Sequence, residues 1–152
     1  MSITLLIQDA RWRKARGLSA RLKRAASLAL LRGGAGAEAS LTILLTGDKQ
    51  LQVLNLSFRG KDGPTNVLSF PSAASAENYL GDVAIAYGVT VNEAKAAGKK
   101  LADHATHLAV HGVLHLQGFD HTTVRQAKIM EPLETKILTE LNIADPYGRK
   151  VA

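Results

Sequence analysis

The stretch His111–His121, HGVLHLQGFDH, restricts the fold more than any other part of the chain. Two imidazoles four residues apart stand one turn apart on the same face of an α-helix, about 6 Å along its axis. His111 and His115 therefore reach one ion only if this stretch is helical. For His121 to join them the helix must stop and the chain must turn back, and Gly118 permits the left-handed conformation that does this. The motif thus dictates a helix, a glycine stop and a reversal, and predicts His111, His115 and His121 as ligands of a single metal ion. All five histidines fall between His104 and His121, a concentration that a helix of merely solvated or buried histidines explains poorly.

Three neutral imidazoles leave the fourth tetrahedral position to water, as in catalytic zinc sites, whereas structural sites fill all four positions with protein. With no Cys in the chain, thiol catalysis, disulfides and iron–sulfur clusters are excluded, and any metal must be held by His, Asp or Glu. Zn2+ is the expected ion, although imidazole suits several metals. His104 and His107 share the helical side but have no reversal beside them. They are read as supporting, core or solvent positions rather than ligands, with substrate contact or a second metal as the alternative. Asp120 is a turn former or a carboxylate that orients an imidazole.

At 152 residues the chain suits one domain. SITLLIQ reads as a strand with Ile3, Leu5 and Ile7 on one face. Asp9 then caps a helical stretch from Arg11 to Leu31, striped by Leu18, Leu22, Ala25, Ala26 and Ala29 and stopped at Gly33 and Gly34. Residues 40–46 read as a buried strand, and Asp48 caps a helix to about Arg59. GKDGP, residues 60–64, is a turn, TNVLSFP a short strand and SAASAENY a surface loop. Residues 81–88 form a further strand, with Thr90 and Glu93 as a capping box for the following helix. A helix over Leu101–Leu116 leads to a last one starting at Thr122 and running towards Leu141, which Pro132 should kink or divide. Residues 142–152 read as a polar tail. The order predicts an α+β fold, a single domain over residues 1–152 with a mixed β-sheet packed with helices.

The charge is uneven. Residues 1–32 carry eight Lys/Arg against Asp9 alone, while the rest is nearly neutral within a total of +6. Such a segment suits a polyanion or is simply a solvated helix face. Its basic residues follow the apolar stretch, the reverse of a secretory signal, and the first strand reads as part of the fold rather than a transit peptide. No apolar run approaches the roughly 18 residues of a membrane span, and a reducing cytoplasm suits the absence of Cys.

The histidine spacing is that of the metzincin proteases, in which Glu follows the first His as general base. Here that position is Gly112, so an amide leaving group would lack its usual proton donor. HGVLHLQGFDH instead closely resembles the signature of the YbeY family of bacterial endoribonucleases. LNLSFRGKDGPTNVLSFP, residues 54–71, and GDVAIA from Gly81 resemble two further signatures of that family. The resemblance implies a zincin-like α+β fold and a zinc-dependent endoribonuclease. It also implies action on single-stranded ribosomal RNA, at the 3′ end of the small-subunit RNA and in ribosome quality control, with the small ribosomal subunit as partner. It carries the ligand role to His111, His115 and His121 and a catalytic role to Arg59, which the residues alone would place as a solvated cation at a helix C-terminus. Asn66 stands where many members have Asp; its amide keeps a hydrogen bond but takes no proton. Asp82 and Asp120 are candidate general bases. Two alternatives stay open: a metzincin-like metalloprotease and a non-catalytic ribosome assembly factor.

Overall fold

Alternating apolar runs set the sheet. In the computed structural model, which describes residues 1–63, 65–73 and 78–147, four strands form: β1 (Ser2–Ile7), β2 (Ser40–Thr46), β3 (Val67–Pro71) and β4 (Tyr79–Ala86). They are ordered β1-β2-β4-β3, with β1, β2 and β4 parallel and β3 antiparallel to β4 at one edge. Five α-helices accompany them: α1 (Leu18–Arg32), α2 (Asp48–Arg59), α3 (Tyr87–Ala96), α4 (Leu101–Leu116) and α5 (Val124–Glu140). This is the α+β, single-domain mixed sheet that the element order implies.

Successive side chains leave a strand on opposite faces, and the sheet uses the two faces unequally. Leu41, Ile43 and Leu45 of β2 with Val83 and Ile85 of β4 pack under α1, α4 and α5, joining Leu22, Ala26, Val113, Leu114, Met130 and Ile137 in the main core. On the other face Leu68, Ala84 and Ala86 meet only Leu51 of α2 and a few partly buried neighbours.

Several boundaries differ from expectation. The helix expected over 11–31 is broken: Ala10–Lys14 is a 3-10 turn, Gly17 adopts φ 74°, and α1 starts at Leu18. Trp12 causes the break, because its ring is buried and its Nε1 donates to the Thr46 carbonyl at 2.9 Å, tying this turn to the end of β2. Asp9 does cap that turn, accepting from the Arg11 amide at 3.0 Å. Asp48 is the first residue of α2 rather than its cap, and its Oδ1 accepts from the Val89 amide at 3.0 Å, at the start of α3. Thr90 and Glu93 do not form a capping box; α3 begins at Tyr87, and the buried Thr90 hydroxyl bonds back to the Ala86 carbonyl. α5 begins at Val124, two residues later than expected, with Thr123 and Gln126 as its capping box, and continues undivided through Pro132. Of the expected turn, loop and tail, residues 64, 74–77 and 148–152 lie outside the described residues. The tail is less polar in role than in composition, since Ile143 is buried and Tyr147 returns to α5.

Candidate metal centre

Gly112 sets how close α4 lies to the sheet. A Cβ there would come within 2.5 Å of Val83 Cγ1 and 3.2 Å of Ser69 Oγ, and the Ser69 hydroxyl donates to the Gly112 carbonyl at 2.9 Å. The residue that takes the place of a protease glutamate is therefore a packing glycine, with no room for a longer side chain. Five residues on, the helix ends as its glycine predicts. Gly118 has φ 94°, its amide bonds to the His115 carbonyl at 3.0 Å, and the Phe119 amide reaches Leu114 at 3.1 Å, a Schellman closure. Asp120 then accepts from the His121 amide at 2.7 Å and from the Thr122 hydroxyl at 3.3 Å. Asp120 is thus a turn former, and these bonds hold its carboxyl below the usual range, the His121 amide contributing most.

The reversal brings the three predicted ligands together. Their ring centroids lie 4.5 Å (His111–His115), 5.0 Å (His111–His121) and 5.2 Å (His115–His121) apart. One nitrogen from each falls within 4.8 Å of the others, a group able to hold a metal ion. The Nε2 atoms of His111 and His115 are 2.9 Å apart, close to the roughly 3.4 Å edge of a tetrahedron with metal–nitrogen bonds of about 2.1 Å. Burial, reinforced by the neighbouring His111 and His121, lowers the His115 pKa to about 4, so this imidazole is neutral, as a ligand must be, at physiological pH.

The structure adds a residue that the sequence reading missed. Glu134 of α5 is fully buried and accepts from His107 Nε2 at 3.0 Å, His111 Nδ1 at 2.7 Å and the Tyr147 hydroxyl at 2.8 Å. Burial alone would raise its pKa, but these hydrogen bonds, led by His107 and then His111, bring it down to about 2. The carboxylate therefore fixes the His111 tautomer, with the proton on Nδ1 and the Nε2 lone pair facing His115 and His121. His107, His111 and Glu134 also have ligand atoms within 4.8 Å of one another, but those atoms are engaged in bonding each other. A signal was present in the sequence: Glu134 shares the α5 stripe with buried Met130, Ile137 and Leu138, where an acid needs a partner.

His104 and His107 behave as supports. His104 Nε2 lies 2.9 Å from Glu93 Oε1, which also accepts from the Asn66 amide at 3.0 Å. Asp82 points away from this site. It shares the α2 face of β4 with Ala84 and Ala86, opposite Val83, and accepts from the Tyr79 hydroxyl, so strand alternation removes it as a general base here. Beside the histidines opens a cleft of about 770 Å³, whose lining includes Asn66 just before β3, Val67 and Ser69 of β3, Tyr147, and Arg59 from the end of α2. Arg59 is exposed and followed by Gly60 in the left-handed conformation. Of the basic N-terminal residues, Arg11, Arg21 and Arg32 are paired with Asp9, Asp103 and Glu140, whereas Arg13, Lys14 and Arg16 are exposed.

A model of the family described as Endoribonuclease YbeY matches residues 7–142. The chain belongs to the YbeY family. A protein of Maricaulis maris named Endoribonuclease YbeY is 42% identical over 146 residues, covering 96% of this chain and 91% of that protein. A namesake from Chelativorans is 46% identical over 132 residues, covering 84% of this chain and 81% of its own. The fold is shared with a Thermotoga maritima protein of known solution structure, at TM-score 0.60 and 21% identity over 97% of this chain and 99% of that one. Membership in a family of endoribonucleases places the nuclease reading, cleavage of RNA phosphodiester bonds, above the protease and assembly-factor readings. The packed glycine at position 112 argues against the protease independently. No helix among the described residues is long and apolar enough to cross a membrane.

Proposed function

We propose that this chain is a zinc-dependent endoribonuclease of single-stranded RNA that matures the 3′ end of small-subunit ribosomal RNA, acts in ribosome quality control, engages the small ribosomal subunit and works in the cytoplasm. In this reading His111, His115 and His121 hold the zinc and Arg59 is catalytic. The observation that carries it is the convergence of three ring nitrogens at a cleft that also receives an arginine. The donor set fits the ion: three imidazoles, one with its tautomer fixed by Glu134 and one with a depressed pKa, present neutral nitrogens. Zinc held there supplies Lewis-acid polarisation of a phosphoryl oxygen and acidifies water.

The chain's own groups do the rest. The Arg59 fork pairs with non-bridging phosphate oxygens and stabilises the charge that develops as the phosphorus centre becomes pentacoordinate. Exposed Arg13, Lys14 and Arg16 attract the RNA backbone without regard to sequence, which makes binding fall steeply with salt. The test is cleavage of a labelled single-stranded RNA by purified protein, with chelator, with zinc restored, and with His115→Ala and Arg59→Ala. Zinc-restored cleavage lost in His115→Ala, together with an Arg59→Ala protein that binds zinc but does not cut, is the expected result. Absence of cleavage by zinc-loaded, folded wild type on both free RNA and small subunits would overturn the proposal.

A further inference from the structure

Phe58 lies on the same α2 stripe as Leu51 and Asn55, which are buried, yet it is 69% exposed. The reason is positional. At the last turn of α2 the Phe58 ring meets the edge strand, edge-to-face with Phe70 at 5.1 Å between centroids. Phe70 is on the α2 face of β3, while Val67 and Ser69 of the same strand line the cleft on the other face. The next residue, Arg59, is itself part of that cleft lining. An aromatic ring backed by a second ring, open on its outer side and next to a phosphate-binding cation, has the parts of a base-stacking platform for single strands. Folding does not account for its exposure, since an aromatic ring left in water forgoes its burial energy.

We propose that Phe58 stacks on a nucleobase of single-stranded RNA flanking the phosphate held by Arg59, so that the substrate strand crosses the exposed edge of β3. The inference rests on the nuclease reading and names how that enzyme takes its substrate. Stacking is tolerant of base identity, so the platform selects unpaired RNA over duplex rather than one sequence.

The experiment measures KM and kcat of the zinc-loaded full chain on a labelled single-stranded RNA and on a series in which each nucleotide in turn is abasic. Phe58→Ala and Phe58→Leu are expected to raise KM about ten-fold, the usual order for a lost base–aromatic stack, with Phe58→Tyr restoring it. In wild type one abasic position should raise KM by a similar factor, and the same position should add nothing in Phe58→Ala. Equal KM for wild type and Phe58→Ala, or abasic effects that simply multiply with the substitution, would overturn the proposal and leave the apolar ridge of α2 to a protein partner. Should wild type fail to cleave, the nuclease reading fails. The same cycle read by fluorescence anisotropy on Kd then decides the stacking site, and no RNA binding by wild type overturns that too.

Discussion

The histidines of α4 form one row with two different ends. At the N-terminal end each ring is tied to a carboxylate, His104 to Glu93 and His107 to Glu134. At the C-terminal end His115 lies with its Nε2 against His111 Nε2 and, with His121, faces a cleft. His111 belongs to both, with Nδ1 on Glu134 and Nε2 turned towards His115. The difference teaches that residue type does not separate a candidate metal ligand from a structural histidine. What differs along the row is what meets each ring: a carboxylate at one end, the chain reversal that brings in His121 at the other, and both at His111.

The largest test of this contrast is His115→Ala. It removes one of the three proposed ligands, so it is expected to abolish stoichiometric zinc binding and RNA cleavage while circular dichroism stays native. A variant that retained zinc at wild-type affinity would erase the distinction between the two ends. Next comes Glu134→Gln, in which an amide of nearly the same shape has one acceptor oxygen instead of two and cannot keep both the His111 bond to Oε1 and the His107 and Tyr147 bonds to Oε2. Loss of such an orienting group typically weakens metal affinity about 10- to 100-fold, measurable by competition with a chromophoric chelator. An unchanged zinc Kd would show that the carboxylate only fills the core.

Much of the open end was legible in the sequence because it is local: a four-residue spacing, a glycine at the stop and a third histidine just beyond it lie within one continuous stretch, His111–His121. The closed end was not, because Glu134 and Tyr147 reach the row only through packing of α5 on α4 and the return of the chain after it. The same rule covers the fold. Strands and the α1 stripe follow from local periodicity. The break before Leu18 depends on Trp12 meeting Thr46, and the start of α3 depends on Asp48 meeting Val89, both contacts between residues far apart in the chain.

Gly112→Ala bears on both ends at once, because it moves α4 relative to the sheet. A methyl group 2.5 Å from Val83 Cγ1 must displace the helix or the valine, an overpacking expected to cost about 1–3 kcal/mol. Urea unfolding reads this directly, and a variant as stable as wild type would mean that the helix is not held at that contact. Zinc affinity should fall with it, since His111 and His115 flank the displaced turn.

The smallest expected effect belongs to the far end of the row. Glu93, the partner of His104, is 42% exposed, and its Oε1 keeps the Asn66 amide when the imidazole is removed. Water can replace the lost bond, so His104→Ala should cost stability of about 1 kcal/mol, the net worth of an ordinary hydrogen bond. It should also leave the zinc Kd within about two-fold, because no bond in the His107–Glu134–His111 chain passes through His104. Paired urea and zinc titrations on this one variant therefore separate fold from metal. A Kd that moved together with stability would mean that the carboxylate-bound half of the row tunes the open half along the helix, and that the two ends act as one device.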